Sequence, residues 1–240
     1  MRSEQTLTAP NASALSLQVA EWLITRLASS SGRRSIALSG GSTPLALFRC
    51  LARPEQARRI DWQHLHIFWS DERWVPYTDA RSNYGAAYES LLRHVPIPSH
   101  NIHPVPTEHS PEHAAKDYAR TLQAFYGSPN LDPAQPLFDA VLLGIGADGH
   151  TASLFPGQEA PAAMEQWAMA ARPEGQLPRV TLTVPVLNST AALAFLVTGQ
   201  QKRDIVARVR KGEAGLPASR IDPTGDLVWF LDHAAAGSVH

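Results

Sequence analysis

Apolar positions along the chain follow two rhythms that alternate from one end to the other. Leu15, Val19, Trp22, Leu23 and Leu27 recur at helical spacing, behind Asn11 or Ser13 as a cap and ahead of Gly32, and predict an amphipathic first helix over residues 11–30. Short runs rich in Ile, Val, Leu and Phe at 35–39, 64–70, 138–144, 180–184, 191–198 and 226–231 read as strands, several of them too uniformly apolar to have a wet face. Helical patterns lie between them at 44–52, 82–93, 111–126 and 200–211, with Pro44 and Pro111 suited to first-turn positions. Alternation of this kind requires crossover connections, so the pattern predicts an α/β fold with a mainly parallel sheet and helices on both faces.

Length and composition narrow this further. A chain of 240 residues suffices for one large domain or two small ones. No composition shift, Gly/Ser-rich linker or internal repeat divides it, so residues 1–240 are expected to form a single domain, with 94–111 as a long surface loop. With 44% apolar and 18% charged residues, a disordered, collagen-like or coiled-coil chain is excluded. The net charge of −1 supplies no overall pull toward nucleic acid or membrane, so any anion must be held locally. Cys50 is the sole cysteine, which rules out an intramolecular disulfide and fits a reducing compartment. The start Met-Arg-Ser-Glu-Gln-Thr is not that of a secretion signal, and the run at 191–197 falls far short of the roughly 20 residues that span a bilayer. A cytoplasmic location is the expectation.

Ligands in open α/β sheets bind beyond the carboxyl ends of the strands, which directs attention to the residues just after each one. After the first comes Ser39-Gly40-Gly41-Ser42-Thr43-Pro44. Its glycines allow close backbone approach, and a following helix presents free N–H groups at its positive end, as phosphate binding requires; an ordinary strand-to-helix turn would read the same way. After the second comes Ser70-Asp71-Glu72-Arg73-Trp74-Val75-Pro76, followed by Ser82-Asn83. Charges beside a buried strand end need partners, and these suit catalysis, a grip on a dianion or internal pairing.

The third segment runs Gly144-Ile145-Gly146-Ala147-Asp148-Gly149-His150-Thr151-Ala152-Ser153-Leu154-Phe155-Pro156. It matches GxGxxG formally, but Pro156 and Gly157 interrupt the helix that a dinucleotide site needs. What remains is an imidazole delivered at a strand end, able to take a proton from water at neutral pH, with Asp148 two residues before it. Arg179 and Lys202 flank later strands, and either stays solvated or joins a common anion site. His94, His100, His103, His109 and His113 crowd one stretch without a metal-ligand pattern, since a helix starting at Ser110-Pro111 leaves His109 outside it. His64 and His66 share one strand face and read as sheet-surface residues. Trp22, Trp62, Trp69 and Trp229 read as packing residues.

These segments, in this order, resemble the 6-phosphogluconolactonases, and the likeness extends over nearly the whole chain through Arg179-Val180-Thr181-Leu182-Thr183, Gly199-Gln200-Gln201-Lys202 and Leu216-Pro217-Ala218-Ser219. The resemblance implies a Rossmann-like α/β fold and hydrolysis of 6-phospho-D-glucono-1,5-lactone in the oxidative pentose phosphate pathway. It also implies a functional link to glucose-6-phosphate dehydrogenase. No cofactor or metal is expected, because water and a base suffice for an activated ester.

Glucosamine-6-phosphate deaminases share the turn and the Gly-x-Asp-Gly-His loop but continue Ile-Ala-Phe-Asn-Glu-Pro. Here Leu154 and Phe155 cannot transfer protons. That deaminase or another sugar-phosphate isomerase is one alternative, and a non-catalytic sugar-phosphate binder is another. In line with the resemblance, the phosphate is expected on Ser39, Gly40, Gly41, Ser42 and Thr43 with Arg73, Arg179 and Lys202. His150 is the expected general base, oriented by Asp71, with backbone N–H groups from Gly146 to Gly149 or a nearby cation receiving the oxyanion.

Overall fold

The structure is a computed structural model that describes residues 3–28, 32–158 and 166–237. In chain order its elements are β1 (Glu4–Ala9), α1 (Ala12–Ala28), β2 (Arg34–Leu38), α2 (Ser42–Leu51), α3 (Pro54–Ala57), β3 (Leu65–Trp69), β4 (Asp71–Arg73), α4 (Asn83–Ser90) and α5 (Pro111–Tyr126). They continue as β5 (Ala140–Leu143), β6 (Ala168–Ala171), β7 (Arg179–Leu182), α6 (Val184–Asn188), β8 (Ala192–Val197), α7 (Arg203–Arg210), β9 (Asp226–Asp232) and α8 (His233–Ala236). Six strands form a wholly parallel sheet in the order β1-β9-β8-β5-β2-β3, flanked by helices. A separate antiparallel sheet takes the order β4-β7-β6.

Every residue of β2, β5 and β8 is buried, which is why β5, β8 and the part of β2 from Ile36 to Leu38 run apolar without alternating. Trp62, Trp69 and Trp229 are buried as expected, and Trp22 meets Phe230 edge-on at 5.5 Å. Asn11 caps α1 by accepting the N–H groups of Ser13 and Ala14 at 3.1 and 3.0 Å. The predicted last residues of that helix, Ser29 and Ser30, lie outside the described residues. Ser110 caps α5 through the His113 N–H, leaving His109 outside the helix. The 200–211 pattern divides into a 3-10 turn at Gln200–Lys202 and then α7. The 180–184 strand is β7, and it joins the small sheet rather than the parallel one. Among the described residues no helix is long and apolar enough to cross a membrane, and no three His, Cys, Asp or Glu side chains are placed to hold a metal ion.

One residue joins the two sheets. The Ser70 N–H donates to Leu38 O at 2.7 Å in the large sheet, while Ser70 O accepts from Leu182 N–H at 2.8 Å in the small one. β4 therefore leaves the carboxyl end of β3 at a fixed position. In sequence order the chain goes from β2 to β3 on one side, then returns to place β5 on the other side of β2. A crevice opens at such a reversal, beyond the strand ends.

Candidate active site

The crevice holds a cleft of about 310 Å³. Most positions expected from the sequence are on its wall: Ser39, Gly40, Gly41, Ser42 and Thr43; Asp71 and Arg73; Gly146 and His150; Arg179 and Lys202; of the loop expected to receive the oxyanion, only Gly146 is. Four chain segments that are far apart in sequence are brought there by the carboxyl ends of β2, β3, β5 and β8, and β7 contributes Arg179 from the small sheet.

The turn after β2 is shaped by its glycines. Gly41 has φ 112°, a left-handed conformation that a side chain disfavours, and it sits immediately before α2. The helix starts at Ser42, two residues ahead of the predicted start at Pro44. Hence the Ser42 and Thr43 N–H groups belong to its first turn, where helical geometry provides no acceptor. They face the cleft from the positive end of a 10-residue helix. Thr43 is tied to the end of β8 by a 2.9 Å hydrogen bond between its hydroxyl and that of Thr198.

Glu72 pins the beginning of α4. Its buried carboxylate accepts the N–H groups of Arg73, Asn83 and Tyr84, each at 2.7 Å, and the Ser82 hydroxyl at 3.1 Å. Burial pushes the Glu72 carboxyl above its ordinary range, and these backbone donors partly offset that. The clamp closes the loop between Arg73 and Asn83, so both reach the cleft. Arg73 donates from Nη1 to Arg81 O at 2.9 Å, and its buried Nε has no protein acceptor among the described residues.

His150 stands on the loop after β5, and its partner differs from the expected one. Nδ1 lies 2.6 Å from Asp148 Oδ1, and the same oxygen accepts the His150 N–H at 3.1 Å. Burial raises the Asp148 carboxyl, but the amide and ring of His150 together outweigh it and hold it below its ordinary value. Asp71, expected to orient His150, is engaged elsewhere. Its Oδ2 accepts from Ser153 Oγ at 2.6 Å, its Oδ1 accepts from Asn83 Nδ2 at 3.2 Å, and Arg179 Nη1 lies 4.0 Å away. Asp148 wins because a two-residue turn through Gly149, at φ 83°, brings its carboxylate back onto the ring.

Two of the expected oxyanion donors are spent. The Gly146 N–H donates to His150 O at 2.8 Å, and the Gly149 N–H to Gly146 O at 3.0 Å. Gly146 instead provides room, since a Cβ there would sit 2.0 Å from His150 Nδ1 and 2.5 Å from Asp148 Oδ1. Beyond the loop the chain makes turns rather than a helix through Gln158, so the GxGxxG spacing lacks the helix N-terminus of a dinucleotide site.

Two further cations complete the wall. Arg179 Nη2 donates to Gln176 Oε1 at 2.6 Å, and its guanidinium lies 5.3 Å from the Phe155 ring centroid. Burial lowers its pKa, the nearby Arg73 adds to that, and Asp71 opposes it. Lys202 Nζ donates to Ile145 O at 2.8 Å, which uses one of its three protons, and burial lowers its pKa against the pull of Asp148. The cleft also contains residues that sequence reasoning did not assign to it: Asn83, Thr198 and Gln201. Asn83 carried a signal, a polar side chain directly after a helix cap. Thr198 and Gln201 carried none beyond their place at a strand end.

Comparison with known proteins gives a consistent result. The description of glucosamine-6-phosphate isomerases/6-phosphogluconolactonase matches residues 10–229. The chain is 39% identical over 237 residues to a 6-phosphogluconolactonase of a Nostoc species, covering 95% of both. It is 39% identical over 215 residues to the human GDH/6PGL endoplasmic bifunctional protein, covering 85% of this chain and 26% of that one. A solved structure of a devB protein superposes with a TM-score of 0.88 at 36% identity, over 99% of this chain and 100% of that one.

Proposed function

The chain belongs to the glucosamine-6-phosphate isomerase/6-phosphogluconolactonase family, and on that footing we propose that it hydrolyses 6-phospho-D-glucono-1,5-lactone to 6-phospho-D-gluconate. It is a carboxylic ester hydrolase that acts in the oxidative pentose phosphate pathway. The observation that carries this reading is the presence, in one cleft, of a carboxylate-held imidazole and a set of unspent donors suited to a dianion.

The substrate has a phosphate at one end and an electrophilic carbonyl at the other. The phosphate fits the N-terminus of α2, where the N–H groups of Ser42 and Thr43 and the positive helix end meet Arg73, Arg179 and Lys202. With Nδ1–H donated to Asp148, His150 keeps Nε2 free as the base. This nitrogen takes a proton from water as the oxygen adds to the lactone carbonyl. Asp148, ionised at neutral pH, stabilises the imidazolium that forms. The same proton then passes to the ring oxygen as the C–O bond breaks, so one group acts as base and then acid. With the Gly146 and Gly149 N–H groups committed, the oxyanion falls to the remaining N–H groups of that loop or to a cation of the cleft wall.

Deamination is disfavoured because Phe155 occupies the position where the deaminase pattern places its carboxylate, and Leu154 beside it cannot transfer a proton either. The human bifunctional relative supports a functional link with a dehydrogenase that supplies the lactone. The single buried free thiol, Cys50, supports a cytoplasmic location.

Acid release from freshly generated 6-phosphogluconolactone, corrected for spontaneous hydrolysis, tests the activity directly. His150→Ala is expected to lower turnover by roughly 10²- to 10⁴-fold with an unchanged melting temperature. Near-normal turnover in that variant would remove His150 from the mechanism. Ammonia release from glucosamine 6-phosphate in place of lactone hydrolysis would overturn the whole reading.

A further inference from the structure

Asn83 stands out because its amide is held from one side only. It opens α4, is 5% exposed, and has its backbone N–H fixed by Glu72. Its side-chain Nδ2 donates to Asp71 O at 2.9 Å and to Asp71 Oδ1 at 3.2 Å. These two acceptors determine which way the amide faces, since the opposite orientation would press Oδ1 against both of them. Asp71 is itself held by Ser153 Oγ and Arg179.

Oδ1 is consequently turned toward the phosphate turn, where a Cβ on Gly40 would come within 1.9 Å of it. No side-chain or backbone donor reaches it among the described residues. The residue as a whole is nearly buried, but this fixed carbonyl oxygen is left open on the ligand cleft without a protein donor, positioned to accept a proton from what binds there.

The chemistry of the proposed substrate selects which group supplies that proton. A phosphate dianion has none to give and is repelled by a carbonyl oxygen, and the lactone carbonyl is likewise an acceptor. The ring hydroxyls are donors. Resting on the lactonase reading above, we infer that Asn83 is a specificity-determining residue that accepts a hydrogen bond from one ring hydroxyl of the sugar lactone. The cations and N–H donors of the cleft serve the phosphate, and the Asp71 carboxylate on the same wall already accepts from Ser153 and Asn83 itself, so this oxygen helps to distinguish a hydroxylated ring from a generic phosphorylated ester. Gly40 belongs to the same device, because any side chain there would displace the Asn83 amide.

The test compares 6-phosphogluconolactone with its 2-, 3- and 4-deoxy counterparts. Wild type is expected to lose roughly tenfold in kcat/KM on one of the three, the loss of one hydrogen bond to a fixed acceptor. Asn83→Ala should lower the parent lactone by a similar factor while scarcely changing that one deoxy compound, so the discrimination vanishes. If wild type hydrolyses all three deoxy lactones as well as the parent, the inference is wrong whether or not the variant folds. An equal loss by Asn83→Ala on every lactone would also overturn it, leaving Asn83 a purely structural role. Neither result touches the lactonase reading, which fails only if wild type leaves the parent compound untouched.

Discussion

A methyl group on Gly146 would lie 2.0 Å from Nδ1 and 2.2 Å from Cε1 of His150, closer than any real contact allows. The imidazole and its carboxylate therefore depend on a residue with no chemistry of its own. Gly146→Ala should displace the ring by the better part of an ångström and lower kcat by roughly 100-fold, since a misplacement of that size has such a cost in positioned catalysis. KM should change less, because the phosphate-holding groups come from other segments. Steady-state kinetics beside a thermal melt separates this from unfolding: wild-type kcat would show that the ring position is not critical. Part of this arrangement was visible in the sequence. The Gly-Ala-Asp-Gly-His run marked His150 and Asp148 as neighbours. Choosing between Asp148 and Asp71 as the orienting carboxylate needed the turn at Gly149, whose left-handed backbone brings the nearer one onto the ring.

At the scale of elements, legibility followed burial. β5 and β8 were apparent because strands covered on both faces run apolar throughout, whereas β2 shows that signal only from Ile36 to Leu38 and buries Arg34 and Ser35 by pairing them with Asp139 and Leu137 O. β1 was not, because it is an edge strand, mostly exposed, with Glu4, Gln5 and Thr6 leading it. β6 consists of Ala168-Met169-Ala170-Ala171, residues that favour helix by intrinsic preference, and is a strand only because it pairs with β7. β4 is composed of three charged residues, Asp71-Glu72-Arg73, and local propensity argues against it. Its pairing with β7 and the Glu72 clamp at the start of α4 override that preference. Glu72→Ala leaves the N–H groups of Arg73, Asn83 and Tyr84 without their acceptor, and should cost about 3 kcal/mol in denaturant unfolding. Releasing the loop between Arg73 and Asn83 should also raise KM for the phosphorylated lactone more than it lowers kcat. An unaltered KM in a destabilised but folded Glu72→Ala protein would show that the clamp serves stability alone.

Across the whole molecule, the far edge of the parallel sheet sets how stability responds to acid. His66 on β3 and His103 lie with Nδ1 and Nε2 2.9 Å apart, and the His103 ring stacks on Phe68 at 4.4 Å beside Phe125. Burial, with the added repulsion of His66, His100 and Arg33, lowers His103 from 6.5 to about 4. His66 is lowered by the same burial and by Arg33. A base whose folded pKa is depressed binds fewer protons in the native state than in the unfolded one. The stability it contributes is complete above pH 6.5 and is lost as pH falls toward about 4. Glu72 has the opposite sign, because its folded pKa is raised. Its contribution is complete below its ordinary value of 4.5 and declines as pH rises through the folded value, so it does not produce an acid limb in this window. Asp148 is lowered from 3.8 and loses its contribution only in stronger acid. The histidine pair alone among these groups thus predicts a fall in melting temperature between pH 6.5 and 4, and His103→Phe should flatten it. The variant gives up the bond to His66, so its melting temperature at neutral pH should be lower, and the slope rather than the absolute value is the readout. Melting curves at several pH values across that window decide the matter: an equally steep decline in His103→Phe would mean that the acid limb arises elsewhere in the fold.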